Sequence, residues 1–220
     1  KPADYSAWRD RVATKVQEWR DEHKEVFASD AVPMRPERIC AEISDQLPED
    51  AILVSDTGHS GIWSGAMIEL RHAGQHYVRC AGSMGWGLPG AIGVKFAAPD
   101  RPVVLFTGDG AFYYHIAELE TAARHNVKLI VVVNNNSALS QEMPGIKRAY
   151  GNEMRGRGPE LYMHRDINFA NLAIDFGCIG MRAETPEEFR KAFADALNAD
   201  GPVVIDAVSD INAFPDSPWK

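Results

Sequence analysis

The sequence predicts an α/β domain, a doubly wound, mainly parallel six-stranded sheet with helices on both faces. Three observations carry that expectation. Short β-branched runs alternate with segments whose apolar residues recur every three or four positions. The runs are apolar throughout, as strands covered on both faces must be. Loops rich in glycine or asparagine follow several of them, at the end of the sheet where such folds hold ligands.

Taken in order, Trp8, Val12, Val16 and Trp19 recur among charges between Tyr5 and Glu25, so this stretch is an amphipathic helix with one face expected to dock. Arg20 to Pro36 reads as a polar connector. From there "RPERICAEISDQL" is helical, "AILVSD" a strand, "HSGIWSGAMIEL" a helix and "HYVRC" a second strand. "GLPGAIGVKFAA" pairs with "PVVLFTGDG", and "YYHIAELETAARH" with "KLIVVVNNN". After a long loop come "NFANLAIDF" and "IGMRAE". The last helix opens at "TPEE", where Thr185 is the N-cap, Pro186 occupies the first helical position and Glu188 closes a capping box. It leads into "PVVIDAV". The amphipathic start and connector, residues 1–35, thus precede a domain spanning 36–220.

Composition narrows the function. The 220 residues are 45% hydrophobic and 25% charged, with a net charge of -8, which argues against nucleic acid or an anionic membrane as partner. Cys40, Cys80 and Cys178 are scattered and odd in number, so neither a disulfide framework nor a zinc site is expected. No apolar run approaches the roughly 18 residues that span a bilayer. The expected location is cytoplasmic, with the cysteines reduced. A chain beginning at Lys1 reads as processed, trimmed or part of something longer.

Four loops carry the chemistry: Asp56 to Ser60, Cys80 to Gly87, Thr107 to Phe112 and Asn134 to Leu139. In the second, "GWGLPG" matches GxGxxG, follows a predicted strand and opens a helix, with Asp109 about 20 residues on, so an NAD(P)-binding dehydrogenase domain is one alternative. That reading leaves the Gly-Asp-Gly turn and the three asparagines without a role. Gly108 and Gly110 allow a tight turn at a helix start, where backbone amides favour a phosphate. Asp109 would repel that phosphate unless a hard cation lay between them. Magnesium suits the position, since it takes one or two protein oxygens and completes its shell with phosphate and water. An amide oxygen from the asparagines at the neighbouring strand end would be a second ligand.

The Gly-Asp-Gly turn followed by a helix, a strand and an asparagine pair resembles the signature of thiamine-diphosphate enzymes, and Asn136 lies 27 positions after Asp109, the usual interval of that family. The likeness extends over roughly Pro36 to Val208 and is closest to the C-terminal, diphosphate-binding domain of the acetolactate-synthase-like branch, whose glycine-rich segment "GSMGWGLPGAIG" resembles. It implies thiamine diphosphate and Mg2+ as cofactors. Asp109, Asn136 and the carbonyl of Ala138 would hold the metal, with Asn135 completing the pair and Asn134 an extra. Gly108, Gly110, Ala111, Leu139 and Ser83 would line the cofactor, and His59 and Ser60 would meet its diphosphate from the opposite side. Met84 would prop the bent cofactor and Gly82 would offer its carbonyl to the 4′-amino group, the two roles nearest the chemistry.

Tyr113, Tyr114, Leu139 and Gln141 would then face the substrate. His115 reads as exposed, the cysteines as buried small apolar residues, and Arg155 and Arg157 as part of a solvated loop. The resemblance further implies a partner chain carrying the pyrimidine-binding and central domains and the glutamate that ionises the cofactor, in a hetero-oligomer such as a dimer of heterodimers. The expected reaction is decarboxylation of a 2-keto acid with carbon–carbon bond formation. A 2-hydroxyacyl-CoA lyase or oxalyl-CoA decarboxylase reaction on an acyl-CoA is the second expectation.

Overall fold

The computed structural model describes residues 4–80 and 82–215; Ala81 of the second loop, and the ends of the two expected segments at 1–3 and 216–220, lie outside the described residues. Six parallel strands form one sheet: β1 (Ile52–Ser55), β2 (His76–Arg79), β3 (Val103–Gly108), β4 (Ile130–Asn135), β5 (Ile179–Ala183) and β6 (Val203–Val208), in the order β2-β1-β3-β4-β6-β5. Around them are α1 (Ser6–Phe27), α2 (Pro36–Gln46), α3 (His59–Met67), α4 (Gly87–Ala97), α5 (Asp109–His115), α6 (Glu118–Arg124), α7 (Met143–Ala149), α8 (Phe169–Asp175) and α9 (Pro186–Asn198). The predicted doubly wound sheet is therefore present, and it is parallel throughout.

Alternation along the strands divides the core in two, because successive side chains point to opposite faces. Leu53, Val104, Phe106, Val132 and Ile205 pack with Ile39, Ile43, Trp63, Phe189 and Phe193 of α2, α3 and α9. Val54, Leu105, Val131, Val133 and Val204 pack with Leu88, Phe112, Leu119 and Phe169 of α4, α5, α6 and α8. The α9 start holds the predicted cap: Thr185 Oγ1 accepts from the Glu188 amide, and the Glu188 carboxylate accepts from the Thr185 amide.

Several expectations need correcting. The connector is shorter than Arg20 to Pro36, since α1 runs on to Phe27. Its apolar face does not dock along its length. No residue of α1 is fully buried, only Trp19 and Phe27 pack against the core, and Trp8 is 62% exposed, because no described element lies alongside the first half. The expected helix of "YYHIAELETAARH" starts earlier, at Asp109, and is divided at residues 116–117. The helix of "HSGIWSGAMIEL" stops at Met67, and the Glu69 amide beyond it donates to Ser44 Oγ at 3.0 Å. The long loop after β4 contains α7 and a short 3-10 turn at Gly158–Leu161.

Close packing of α8 on β5 sets one sharp constraint. A Cβ on Gly180 would lie 1.9 Å from the Ala170 carbonyl oxygen, whereas one on Gly93, in α4, would meet nothing within 4 Å. Gly180→Ala should therefore destabilise the fold by about 3 kcal/mol, and Gly93→Ala should stabilise it by about 0.5 kcal/mol. Urea denaturation of the two variants checks both signs.

Candidate functional site

Strands β2, β1, β3 and β4 are adjacent, so the four loops singled out in the sequence leave the same end of the sheet side by side. They enclose a cleft of about 270 Å³. His59, Ser60, Met84, Gly108, Asp109, Gly110, Ala111, Asn136, Ala138 and Leu139 all line it. Gly82 and Ser83 do not; they sit on an exposed stretch beside it, where Gly82 has a φ of 79° and donates its amide to Thr57 Oγ1 at 3.2 Å.

Asp109 is the first residue of α5 and only 3% exposed. Its Oδ1 accepts the Gly110 amide at 2.7 Å and its Oδ2 the Ala138 amide at 3.0 Å. Burial pushes the carboxyl up to about 7, against the pull of the amides of Gly110, Ala138 and Ser137, and the Asp206 charge adds to the rise. No arginine or lysine among the described residues pairs with it. A divalent cation would reverse this balance.

Across the cleft, Asn136 Oδ1 accepts the Ala138 amide at 3.2 Å, and the Ala138 carbonyl accepts no hydrogen bond from the described residues. No group of three His, Cys, Asp or Glu side chains suited to a metal occurs among the described residues. A cation here would have one carboxylate, one amide oxygen and one carbonyl, an all-oxygen set suited to a hard ion whose remaining ligands come from phosphate and water. The backbone around it has no room for larger residues. A Cβ on Gly110 would lie 2.5 Å from Leu139 Cδ2 and one on Gly108 2.9 Å from Ser60 Oγ. The residues present thus fit a metal-bound diphosphate.

The three asparagines divide by direction. Asn135 turns away from the cleft: its Nδ2 donates to Asp206 Oδ1 at 2.8 Å and to the Ile167 carbonyl at 3.1 Å, and its Oδ1 accepts the Ser137 amide at 3.2 Å. It braces the loop from below. Asn134, which the sequence reading left without a role, lines the cleft, and its Oδ1 is buried with no partner among the described residues. Its position in the buried strand β4, paired with Gly108 and Ala207, is the signal that identifies it.

His59 Nδ1 lies 3.0 Å from Ser140 Oγ, and burial lowers its pKa to about 4. Of the residues expected to face a substrate, Tyr114, Leu139 and Gln141 line the cleft. Tyr113 does not; it packs edge-on against His164 and Phe169, because its place in α5 turns it toward α8. Arg155 and Arg157 lie in the exposed loop, ion-paired with Glu153 and Glu160. His115 is exposed, and Cys40 and Cys178 are buried, whereas Cys80 is partly exposed.

The sequence reading also gave Asp56 no individual role. Its Oδ1 accepts the amides of Thr57 at 2.7 Å and Gly85 at 2.9 Å, and its Oδ2 accepts the Gly87 amide at 2.9 Å. One buried carboxylate therefore ties the first loop to the second. A Cβ on Gly87 would lie 2.5 Å from Asp56 Oδ2, and one on Gly90 would strike the Trp86 ring. Gly85 and Gly87 of "GWGLPG" serve this internal cap and Gly90 makes room for the Trp86 ring, and the amides of all three, which a dinucleotide phosphate would need, are already taken.

The raised pKa of Asp109 has a stability consequence. Because the folded value lies above the unfolded one, its contribution is complete below about pH 4 and is lost as pH rises through about 7. Asp109→Asn stays neutral, so in metal-free urea denaturation it should gain on the parent by on the order of 2–3 kcal/mol between pH 5 and pH 8. An equal difference at both pH values would mean the carboxylate is not held in a desolvated site.

The comparisons with known proteins bear on the family and the fold. The family model "Thiamine pyrophosphate enzyme, C-terminal TPP binding domain" matches residues 56–207. The acetolactate synthase large subunit of Mycobacterium tuberculosis is 30% identical over 94% of this chain and 37% of its own length. Benzoylformate decarboxylase of Pseudomonas aeruginosa is 30% identical over 82% of this chain and 33% of its own. Among solved structures, the thiamine diphosphate-dependent 4-hydroxybenzoylformate decarboxylase of Rhodococcus jostii superposes with a TM-score of 0.71 at 30% identity, covering 83% of this chain and 34% of that one. The chain spans about a third of the length of these relatives. It belongs to the thiamine pyrophosphate enzymes and carries their C-terminal cofactor-binding domain.

Proposed function

We propose that this chain supplies the metal–diphosphate half of the active site of an enzyme that decarboxylates a 2-keto acid and joins the remaining carbons to an acceptor. The single observation that carries the reading is Asp109, a buried carboxylate facing a cleft with no arginine or lysine among the described residues to neutralise it. In this reading Asp109, Asn136 and the Ala138 carbonyl hold Mg2+. The amides at the start of α5, with Gly108, Ala111, His59 and Ser60, hold the diphosphate, and Leu139 closes the cleft over Gly110. Met84 props the bent cofactor, while Gly82 and Ser83 meet its pyrimidine end. Thiamine diphosphate, when bound, supplies a nucleophilic carbon and an electron sink. The protein's own groups bind it, orient it and exclude water.

Residues 1–35 act in this reading as the linking segment and 36–220 as the binding domain. The pyrimidine-binding domain and its glutamate come from a partner polypeptide, in a hetero-oligomer such as a dimer of heterodimers. That the chain spans about a third of its relatives supports the need for further domains. A second reading, decarboxylation without carboligation, is favoured by the two relatives that are benzoylformate-type decarboxylases.

Calorimetric titration of thiamine diphosphate, with and without Mg2+, on the protein as isolated with any co-purifying chain tests the assignment. Binding should require Mg2+ and should weaken by about 3 kcal/mol, roughly a hundredfold, in Asp109→Ala. Turnover should be absent from the rigorously purified single chain and appear with its partner, and product analysis with pyruvate against benzoylformate separates the two reactions. Metal-independent binding that survives Asp109→Ala would defeat the reading.

A further inference from the structure

Ser140 is a buried hydroxyl, 6% exposed, placed between the two sides of the cleft. Its Oγ lies 3.2 Å from Asn136 Nδ2 and 3.0 Å from His59 Nδ1. The direction of each bond follows from donor and acceptor bookkeeping. The Ala138 amide lies 3.2 Å from one end of the Asn136 side chain, and a backbone N–H only donates, so that end is the oxygen. The other end is therefore the NH2 group, and it donates to Ser140. The hydroxyl has one proton left to place. Among the described residues the only remaining polar partner of Ser140 Oγ is His59 Nδ1. A buried hydroxyl keeps its proton hydrogen-bonded, and Nδ1 is the acceptor within its reach among the described residues, which favours Ser140 as donor over a hydroxyl turned into the cleft.

An imidazole nitrogen that accepts carries the lone pair, and in the neutral ring the proton then sits on Nε2. Burial of His59 among the loops and against the edge of Phe214 favours that neutral form. Nε2 makes no hydrogen bond to the described residues, and the ring lines the cleft. We infer that Ser140 is a positioning residue that fixes two groups at once: it turns the Asn136 amide oxygen toward the metal position and locks His59 as the Nε2–H tautomer, a neutral hydrogen-bond donor for the diphosphate.

The inference rests on the proposed thiamine-diphosphate reading for its ligand, while the tautomer lock is a property of the chain itself. The lock also makes the two sides of the cleft interdependent. A change at His59 is felt by the amide of Asn136 through one shared hydroxyl, without contact between the two side chains.

Long-range 1H–15N correlation spectra of protein labelled at histidine nitrogens distinguish the two tautomers, and the ligand-free chain serves for this measurement. His59 should give the Nε2–H pattern in the parent, a mixture with the Nδ1–H form in Ser140→Ala, and the parent pattern again in Ser140→Thr. Calorimetry with thiamine diphosphate and Mg2+, on the protein with its co-purifying chain, should show a roughly tenfold loss in Ser140→Ala and recovery in Ser140→Thr, the size expected of a group that orients a ligand's ligand. An Nδ1–H pattern in the parent, or a tautomer and affinity both unchanged in Ser140→Ala, would overturn the inference. Absence of cofactor binding by the parent, with the tautomer shift intact, would instead overturn the proposed function and the diphosphate role with it, leaving the lock upheld.

Discussion

Asp109 occupies the position where burial and charge conflict most strongly. A carboxylate 3% exposed, held by two backbone amides and pushed up to about 7 by its surroundings, is stable as an anion only beside a positive charge. The neighbouring architecture follows from that requirement. Gly108 and Gly110 flank it because side chains there would collide with Ser60 and Leu139. The Ala138 amide reaches its Oδ2 because β4 lies beside β3 in the sheet, which also brings Asn136 to the opposite rim. The destabilisation is local, and the apolar layers on both faces of the sheet support it.

The surrounding loops are fixed by three smaller polar devices, each satisfied within the protein. Asp56 joins the loops after β1 and β2 by accepting the amides of Gly85 and Gly87. Asn135 anchors the loop after β4 to Asp206. Arg182 Nη1 pairs with that same aspartate at 2.8 Å, so the anchor is neutralised from β5. Asp56 and Asp206 thus differ from Asp109 in kind. The first two are buried acids with full sets of protein partners, whereas the third faces open space across the cleft.

Much of this was legible in the sequence, because its signals were periodic or tied to a backbone requirement. The alternation of apolar runs and amphipathic segments gave the strand and helix order, and the Thr185, Pro186 and Glu188 cap was found where it was expected. The Gly-Asp-Gly turn and the distant asparagines could be joined because strands β3 and β4 are neighbours. Directions were harder to read. Three consecutive asparagines look alike in sequence, yet one lines the cleft from the strand, one braces the loop and one lines the cleft from the turn with its Oδ1 accepting the Ala138 amide, a division set by strand pleat and the turn beyond it. The GxGxxG pattern of "GWGLPG" was ambiguous for a related reason, since glycines required by the Asp56 cap and by Trp86 cannot be told in sequence from glycines required by a phosphate. The exposure of α1 depends on what lies alongside it, which its own periodicity does not encode.

A crystal structure of the protein with thiamine diphosphate and Mn2+ in place of Mg2+, with the metal located by anomalous scattering, tests the role of Asp109 most directly. The metal should lie between the Asp109 carboxylate, the Asn136 amide oxygen and the Ala138 carbonyl, bridging to the diphosphate. A diphosphate bound elsewhere, or a metal that leaves Asp109 uncoordinated, would contradict the assignment.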